Sequence, residues 1–135
     1  MKELTLKADV KNIPVVTDFV NEVLEEAECP IKIQMQIDVV LDEIFANIAL
    51  YAYENSEGDA TVCVDVSDEP KVISITFKDS GMPFDPLSRE DPDVTLSVED
   101  RKIGGLGIFM VKKMMDEVVY RYEDGMNVLT VRKKM

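Results

Sequence analysis

The most informative segment of the chain reads Leu41-Asp42-Glu43-Ile44-Phe45-Ala46-Asn47, and it lies inside a predicted helix from about residue 32 to residue 53. Apolar residues recur there at helical spacing and form one stripe: Ile37, Leu41, Ile44, Ile48 and Tyr51. Glu43 and Asn47 are four residues apart, so a helix places both on one face, beside this stripe. The pattern predicts a carboxylate and a carboxamide at the rim of the core, a suitable place for a metal-bound polyphosphate. The alternative is an ordinary polar helix border.

Charge and composition exclude several classes of function. The chain has a net charge of −12 and contains no histidine. Because an acidic surface repels phosphates, nucleic acid and anionic membranes are disfavoured as partners. Without histidine there is no imidazole to act as general base, zinc ligand or phosphate acceptor, which excludes serine hydrolase, zinc hydrolase and self-phosphorylating histidine kinase chemistry. Any proton acceptor is therefore expected to be a carboxylate.

Length and hydropathy predict a single domain, residues 1–135, in the cytoplasm. Hydrophobic residues make up 46% of the chain, which is enough for a core. The longest run without a formal charge, residues 44–53, is about half of the roughly 20 residues that a bilayer span requires. Residues 1–11 do not resemble a signal peptide. Cys29 and Cys63 are isolated, which predicts buried thiols rather than a metal site or a disulfide.

Alternating and helical patterns predict the elements in the order β, α, α, β, β, loop, α, β, β. Strands are expected near residues 4–8, 61–66, 73–77, 118–123 and 127–132, and helices near residues 13–28, 32–53 and 104–115. This order predicts an α+β two-layer sandwich, with the helices on one face of a mostly antiparallel mixed sheet. Residues 82–103 lack periodicity and are rich in proline and acidic residues, so a long lid is expected there, with a solvated charge run as the alternative.

Two glycine motifs add to the helical pair. Asp79 is expected at a strand end, where a semi-buried carboxylate needs a donor partner, and Gly81 leaves room for a ligand to approach the backbone. An ordinary turn is the alternative. Gly104-Gly105-Leu106-Gly107 exposes backbone N–H groups ahead of a helix, where anions are favoured, and a glycine hinge is the alternative. The second motif is neither a Walker loop nor a Rossmann fingerprint, because no Gly-Lys-Ser/Thr follows and Met110 takes the third glycine position.

Taken in order, Glu43-x-x-x-Asn47, Asp79-x-Gly81 and Gly104-Gly105-Leu106-Gly107 resemble the ATP-binding domain of the gyrase, heat-shock chaperone, histidine kinase and mismatch-repair (GHKL) superfamily, with its Bergerat-type fold. Within that superfamily the chain is most similar to the small stand-alone serine kinases that act as bacterial anti-sigma factors. The resemblance implies ATP and Mg²⁺ as cofactors. The long loop would then be an ATP lid.

The resemblance also implies a role for each motif. Asp79 would accept a hydrogen bond from the exocyclic amine of adenine, and Gly81 would let the base approach. Residues Gly104, Gly105, Leu106 and Gly107 would hold the phosphates. Asn47 would coordinate Mg²⁺ through its side-chain oxygen, and Glu43 would accept the proton of the incoming hydroxyl.

The chain departs from the family pattern near the adenine. Asn127 stands where the family commonly has a threonine, and it is expected to hydrogen-bond there instead; Thr130 is the second candidate. Proline replaces a frequent glycine at Pro83. Arg101 and Lys102 are basic exceptions in the acidic lid and could reach the γ-phosphate, or they could simply be solvated.

The resemblance implies that the chain would be an ATP-dependent serine/threonine protein kinase and an anti-sigma regulatory factor. Its substrate would be a small anti-sigma-antagonist-like protein, and a sigma factor would be a second partner. The alternative is a non-catalytic, nucleotide-dependent switch that sequesters a protein partner, because an ordered lid can display or hide a surface. An exposed edge at the N-terminal strand would allow a homodimer.

Overall fold

The computed structural model describes residues 1–53, 56–83, 85–88 and 105–135. These residues form five strands and three helices. The strands are β1 (Lys2–Lys7), β2 (Asp59–Asp68), β3 (Lys71–Asp79), β4 (Glu117–Glu123) and β5 (Met126–Lys134). The helices are α1 (Ile13–Glu26), α2 (Ile31–Asn47) and α3 (Gly105–Met114). The predicted order of these strands and helices is confirmed.

The sheet has the strand order β1-β2-β3-β5-β4. All four pairings between the described strands are antiparallel, so this part of the sheet lacks the parallel pair that a mixed sheet would contain. Strand β3 is central, and its last residue, Asp79, pairs with Asn127 near the start of β5. This register brings the first residue of the Asp79-x-Gly81 motif against Asn127, the residue that was expected beside adenine.

The helices cover one face of this sheet, as predicted for an α+β two-layer sandwich. Alternate residues of β3 (Ile73, Ile75 and Phe77) are buried, because successive side chains of a strand point to opposite faces. They belong to one apolar cluster with Val16, Val20 and Leu24 of α1 and with Val111 of α3. In the described part of the chain, no helix is both long and apolar enough to traverse a bilayer.

Helix α2 ends at Asn47, about six residues earlier than the periodicity predicted, and a π-helical turn (Ile48–Ala52) continues it. The stripe residues from Ile37 to Ile48 are buried, but Tyr51 is 53% exposed, so its place in the stripe was wrong. A π turn contains more residues than an α turn, and it therefore rotates the following side chains away from the face that they would otherwise continue. Such turns occur frequently at functional sites.

The two cysteines are free thiols. Cys63 is buried, as predicted, whereas Cys29 is only partly buried. Most of the expected lid, namely residue 84 and residues 89–103, lies outside the described residues. Within the remainder, Pro86–Ser88 forms a short 3-10 turn.

Candidate functional site

Helix α2 contacts the third motif through Glu43. A Cβ atom added at Gly107 would overlap the Glu43 carboxylate oxygen Oε2, so glycine leaves room for this side chain in its present position. Gly107 is the third residue of α3. The predicted proton acceptor and the predicted phosphate-binding turn are therefore in direct contact, although 64 residues of sequence, roughly half the chain, separate them. The N-terminus of α3, toward which the carboxylate points, also favours negative charge.

The same helix contacts the second motif at its C-terminal extension. A Cβ atom at Gly81 would overlap the backbone oxygen of Ala52, the last residue of the π turn. The Met82 N–H donates a hydrogen bond of 3.1 Å to that oxygen. The Asp79-x-Gly81 turn is thus fixed against the helix within two turns of Asn47. Asn47 itself is half-buried and lies between the two glycine contacts in sequence.

Asp79 is a buried carboxylate at the end of β3, with 5% of its surface exposed. Its oxygen Oδ1 accepts two hydrogen bonds, one of 2.9 Å from the backbone N–H of Gly81 and one of 3.0 Å from Nδ2 of Asn127. Among the described residues, no hydrogen bond reaches the second oxygen, Oδ2. Oδ2 therefore retains acceptor capacity that the exocyclic amine of a purine would use.

Asn127 is buried beside Asp79, with 7% of its surface exposed. Its Nδ2 also donates to the backbone oxygen of Met82, at 2.8 Å. Its Oδ1 accepts a hydrogen bond of 2.5 Å from the hydroxyl of Tyr120 on β4. Tyr120 could not be predicted as part of this site, because no motif near it in the sequence points to Asp79.

Thr130, the other candidate for the adenine contact, lies on the opposite face of the sheet. It pairs across the strands with Thr76, and the two hydroxyl oxygens are 3.2 Å apart. Asp79 shares the parity of Ile75 and Phe77 on β3, whereas Thr76 belongs to the other face. Of the two candidates, Asn127 therefore shares the face of Asp79.

Tyr53 is a second residue that the sequence analysis did not single out. Its hydroxyl donates a hydrogen bond of 2.6 Å to the backbone oxygen of Asp59 and accepts one of 2.8 Å from the N–H of Ser80. Burial is the main cause that raises the pKa of this phenol above its ordinary value. A Cβ atom at Gly58 would overlap the Tyr53 ring. Tyr53 therefore ties the end of the α2 extension to the motif that begins at Asp79.

Several predicted site residues cannot be placed. Gly104, Arg101 and Lys102 lie outside the described residues. Gly105 and Leu106 form the first turn of α3, and their backbone alone is described.

The described groups fit a magnesium-bound adenine nucleotide. Asp79 offers a buried acceptor, and Gly81 and Gly107 let the α2 segment approach the backbone of both motifs closely. Asn47 offers one hard oxygen ligand, and Mg²⁺ is usually held by one or two protein oxygens together with phosphates and water. The start of α3 offers the N–H groups of a helix N-terminus.

Comparison with known proteins agrees with this chemistry. Residues 6–133 match the family model of the histidine kinase-like ATPase domain. The serine-protein kinase RsbW of Listeria monocytogenes serovar 1/2a is 26% identical over 100 residues, which cover 71% of this chain and 63% of that protein. RsbW of Bacillus cereus strain G9842 is 26% identical over 98 residues, or 70% of this chain and 60% of the relative. The serine/threonine-protein kinase BtrW of Bordetella bronchiseptica is 24% identical over 100 residues, or 74% and 70% of the two chains. The chain thus matches less than two thirds of the length of the RsbW relatives.

Proposed function

This chain belongs to the histidine kinase-like ATPase domain family, and from that membership we propose that it is an ATP-dependent serine/threonine protein kinase of the anti-sigma type. Its substrate would be a small anti-sigma-antagonist-like protein, and a sigma factor would be a second partner. The printed names of the relatives, serine-protein kinase and serine/threonine-protein kinase, support the kinase assignment.

The observation that carries this proposal is the contact of one helix with both glycine motifs. Glu43 on α2 abuts Gly107, and Ala52 at the end of the same helical stretch abuts Gly81. Asn47 lies between them along the chain. A nucleotide with its base at Asp79 and its phosphates at the start of α3 would therefore lie along the α2 segment that carries both the carboxylate and the carboxamide.

Each side chain has a distinct task in this arrangement. Asp79 accepts the hydrogen bond of the adenine amine through Oδ2. The N-terminal turn of α3, with Gly104 ahead of it, donates backbone N–H groups to the phosphates. Asn47 holds Mg²⁺ by its side-chain oxygen, and the ion, when bound, neutralises phosphate charge.

Glu43 acts as the proton acceptor for the attacking serine or threonine hydroxyl. Phosphoryl transfer depends mainly on positioning and on neutralising charge, so one carboxylate next to a phosphate-binding turn is sufficient. The histidine-free composition leaves carboxylates as the available bases near neutral pH. The contact with Gly107 restricts where the Glu43 carboxylate can lie, which favours a fixed attack geometry.

The test pairs Glu43→Gln with Asp42→Asn, since Asp42 is the exposed neighbouring acid and has no proposed role. Each protein is incubated with Mg-ATP and an anti-sigma-antagonist-type protein, phosphoserine and phosphothreonine are measured by mass spectrometry, and nucleotide binding is measured by calorimetry. We expect Glu43→Gln to lower transfer by at least about 100-fold, the lower part of the range for a lost general base, with ATP binding retained. Asp42→Asn should transfer phosphate normally.

Three outcomes would contradict parts of the proposal. Normal transfer by Glu43→Gln would remove Glu43 as the base. Nucleotide-dependent binding of the partner without any transfer by the unmodified chain would support the non-catalytic switch instead. No heat of binding with any purine triphosphate would overturn the nucleotide site itself.

A further inference from the structure

We propose that Tyr120 and Asn127 act as positioning residues that set the base preference of this site by fixing the orientation of the Asp79 carboxylate. This inference rests on the proposed nucleotide-binding function, and it concerns how the described network holds the group that reads the base. Neither side chain needs to contact the nucleotide for this role.

Both side-chain N–H groups of Asn127 donate within the protein. A carboxamide nitrogen carries two hydrogens. In the structure Nδ2 donates to Asp79 Oδ1 at 3.0 Å and to the Met82 backbone oxygen at 2.8 Å. Both hydrogens are therefore engaged within the protein. The Asn127 side chain has no further N–H with which to donate to a ring nitrogen of adenine, so its effect on the base is expected to pass through Asp79.

These hydrogen bonds restrict the orientation of the Asp79 carboxylate. Its Oδ1 is held from two sides, by the backbone N–H of Gly81 and by Asn127. A carboxylate that is held through one oxygen cannot rotate freely about its terminal torsion, so its other oxygen keeps one direction. That oxygen, Oδ2, is the acceptor proposed for the exocyclic amine. Loss of either donor would let the carboxylate turn and weaken the contact that distinguishes a 6-amino purine.

Tyr120 holds the Asn127 carboxamide in one orientation. Its hydroxyl donates to Asn127 Oδ1 at 2.5 Å, from the neighbouring strand β4. This bond places the oxygen of the carboxamide toward Tyr120 and the nitrogen toward Asp79 and Met82. If the amide were reversed, its oxygen would face the Asp79 carboxylate and the Met82 carbonyl. All of these groups are acceptors, so no hydrogen bond would form. Tyr120 thus supports the orientation in which Asn127 can hold Asp79.

The experiment compares ATP with purine riboside 5′-triphosphate, which lacks only the 6-amino group. Dissociation constants for both nucleotides are measured by calorimetry for the unmodified chain, Tyr120→Phe, Asn127→Leu and the control Tyr122→Phe. Tyr122 pairs with Asn127 across the strands, but it is 49% exposed, and among the described residues no hydrogen bond joins its hydroxyl to Asn127 or Asp79. Circular dichroism and thermal unfolding verify that each variant folds. If Asn127→Leu does not fold, the conservative Tyr120→Phe carries the test.

For the unmodified chain, a hydrogen bond between a neutral donor and a charged acceptor should favour ATP by about 10- to 100-fold. We expect Tyr120→Phe to reduce this ratio by about 3- to 10-fold and Asn127→Leu to reduce it nearly to unity, while binding of the purine analogue changes little. Tyr122→Phe should leave the ratio unchanged.

A merely structural role predicts a different result, because it would weaken both nucleotides equally and leave the ratio unchanged. That outcome, or unchanged affinities in both network variants, would overturn the inference and leave the proposed function intact. Failure of the unmodified chain to bind either nucleotide would overturn the proposed function and this inference together.

Discussion

Replacing Asp38 by asparagine is expected to stabilise the protein by about 1 kcal/mol at neutral pH. Asp38 on α2 faces Asn21 on α1, and Asn21 Nδ2 donates a hydrogen bond of 3.1 Å to Asp38 Oδ1. The oxygen Oδ1 of Asn21 is the one buried side-chain polar atom in the described part of the chain that has no hydrogen-bond partner. Asp38 cannot satisfy it while ionised, because a carboxylate only accepts. The amide of Asp38→Asn could donate to that oxygen and still accept the existing bond.

The magnitude follows from three contributions. Satisfying a buried acceptor recovers about 1–3 kcal/mol. Replacing a charge-assisted hydrogen bond by a neutral one loses about 1 kcal/mol. Removing the repulsion between Asp38 and Asp42, which lie four residues apart on α2, returns roughly 0.2–0.5 kcal/mol. These three contributions sum to a net stabilisation of about 1 kcal/mol.

The effect of pH has a definite sign. Burial, with a smaller contribution from the Asp42 charge, raises the pKa of Asp38 above its ordinary value of 3.8, while the hydrogen bond from Asn21 lowers it in part. The folded chain therefore holds this proton more tightly than the unfolded chain. Ionisation of Asp38 reduces stability as pH rises from 3.8 through the raised pKa. The advantage of Asp38→Asn should be largest above this window and should shrink as pH falls through it.

Urea unfolding, followed by circular dichroism, measures the effect. With a slope of about 2 kcal/mol per molar urea, the midpoint should rise by about 0.5 M at pH 7. The matched control is Asp42→Asn, which removes an equal charge one turn away but offers nothing to Asn21, and its midpoint should rise by less than half as much. A midpoint for Asp38→Asn that is equal to or below that of the unmodified chain at pH 7 would refute the reasoning.

Two glycine substitutions and one thiol provide further predictions. Gly81→Ala should destabilise the fold by about 1–3 kcal/mol in thermal unfolding and weaken ATP binding, because the added Cβ meets the fixed backbone oxygen of Ala52; unchanged stability would contradict that contact. The Cβ atom of Gly107→Ala would meet only the flexible end of the Glu43 side chain, so stability should change by less than about 1 kcal/mol. Phosphate transfer should fall, because the Glu43 carboxylate is displaced; full transfer would show that transfer does not depend on the present position of that carboxylate. Cys63 is 4% exposed, and burial raises the pKa of its thiol, so maleimide labelling of the Cys63 peptide, measured by mass spectrometry, should be at least about ten-fold slower in the native than in the urea-unfolded protein.

The periodic parts of the fold could be predicted because periodicity reports directly which side chains are buried. The alternation that predicts a strand near residues 73–77 and the spacing that predicts a helix near residues 104–115 both mark residues that the structure buries, namely Ile73, Ile75, Phe77, Ile108, Val111 and Met115. Each of these patterns involves neighbours in sequence.

The error at Tyr51 has a different origin. A single extra residue in the turn after Asn47 changes every later position on that face, and propensity does not signal a π turn. The same turn fixes Ala52 against Gly81, so the local irregularity that defeated the prediction also joins the helix to the second motif.

The hydrogen bonds around Asp79 could not be predicted from the sequence, because they depend on the register between β3 and β5. On β5 one face carries Leu129 and Val131 and the other carries Val128 and Thr130, so alternation alone does not decide which face meets the helices. A shift of one residue in the pairing with β3 would turn Asn127 away from the face that meets the helices and turn Thr130 toward it. The choice is made by the pairing of Asp79 with a residue 48 positions away, and that pairing depends on burying one complete face of the strand against the helices. Asp79, which is proposed to read the base, could be singled out from its own motif, whereas Tyr120 becomes identifiable only once the register is known.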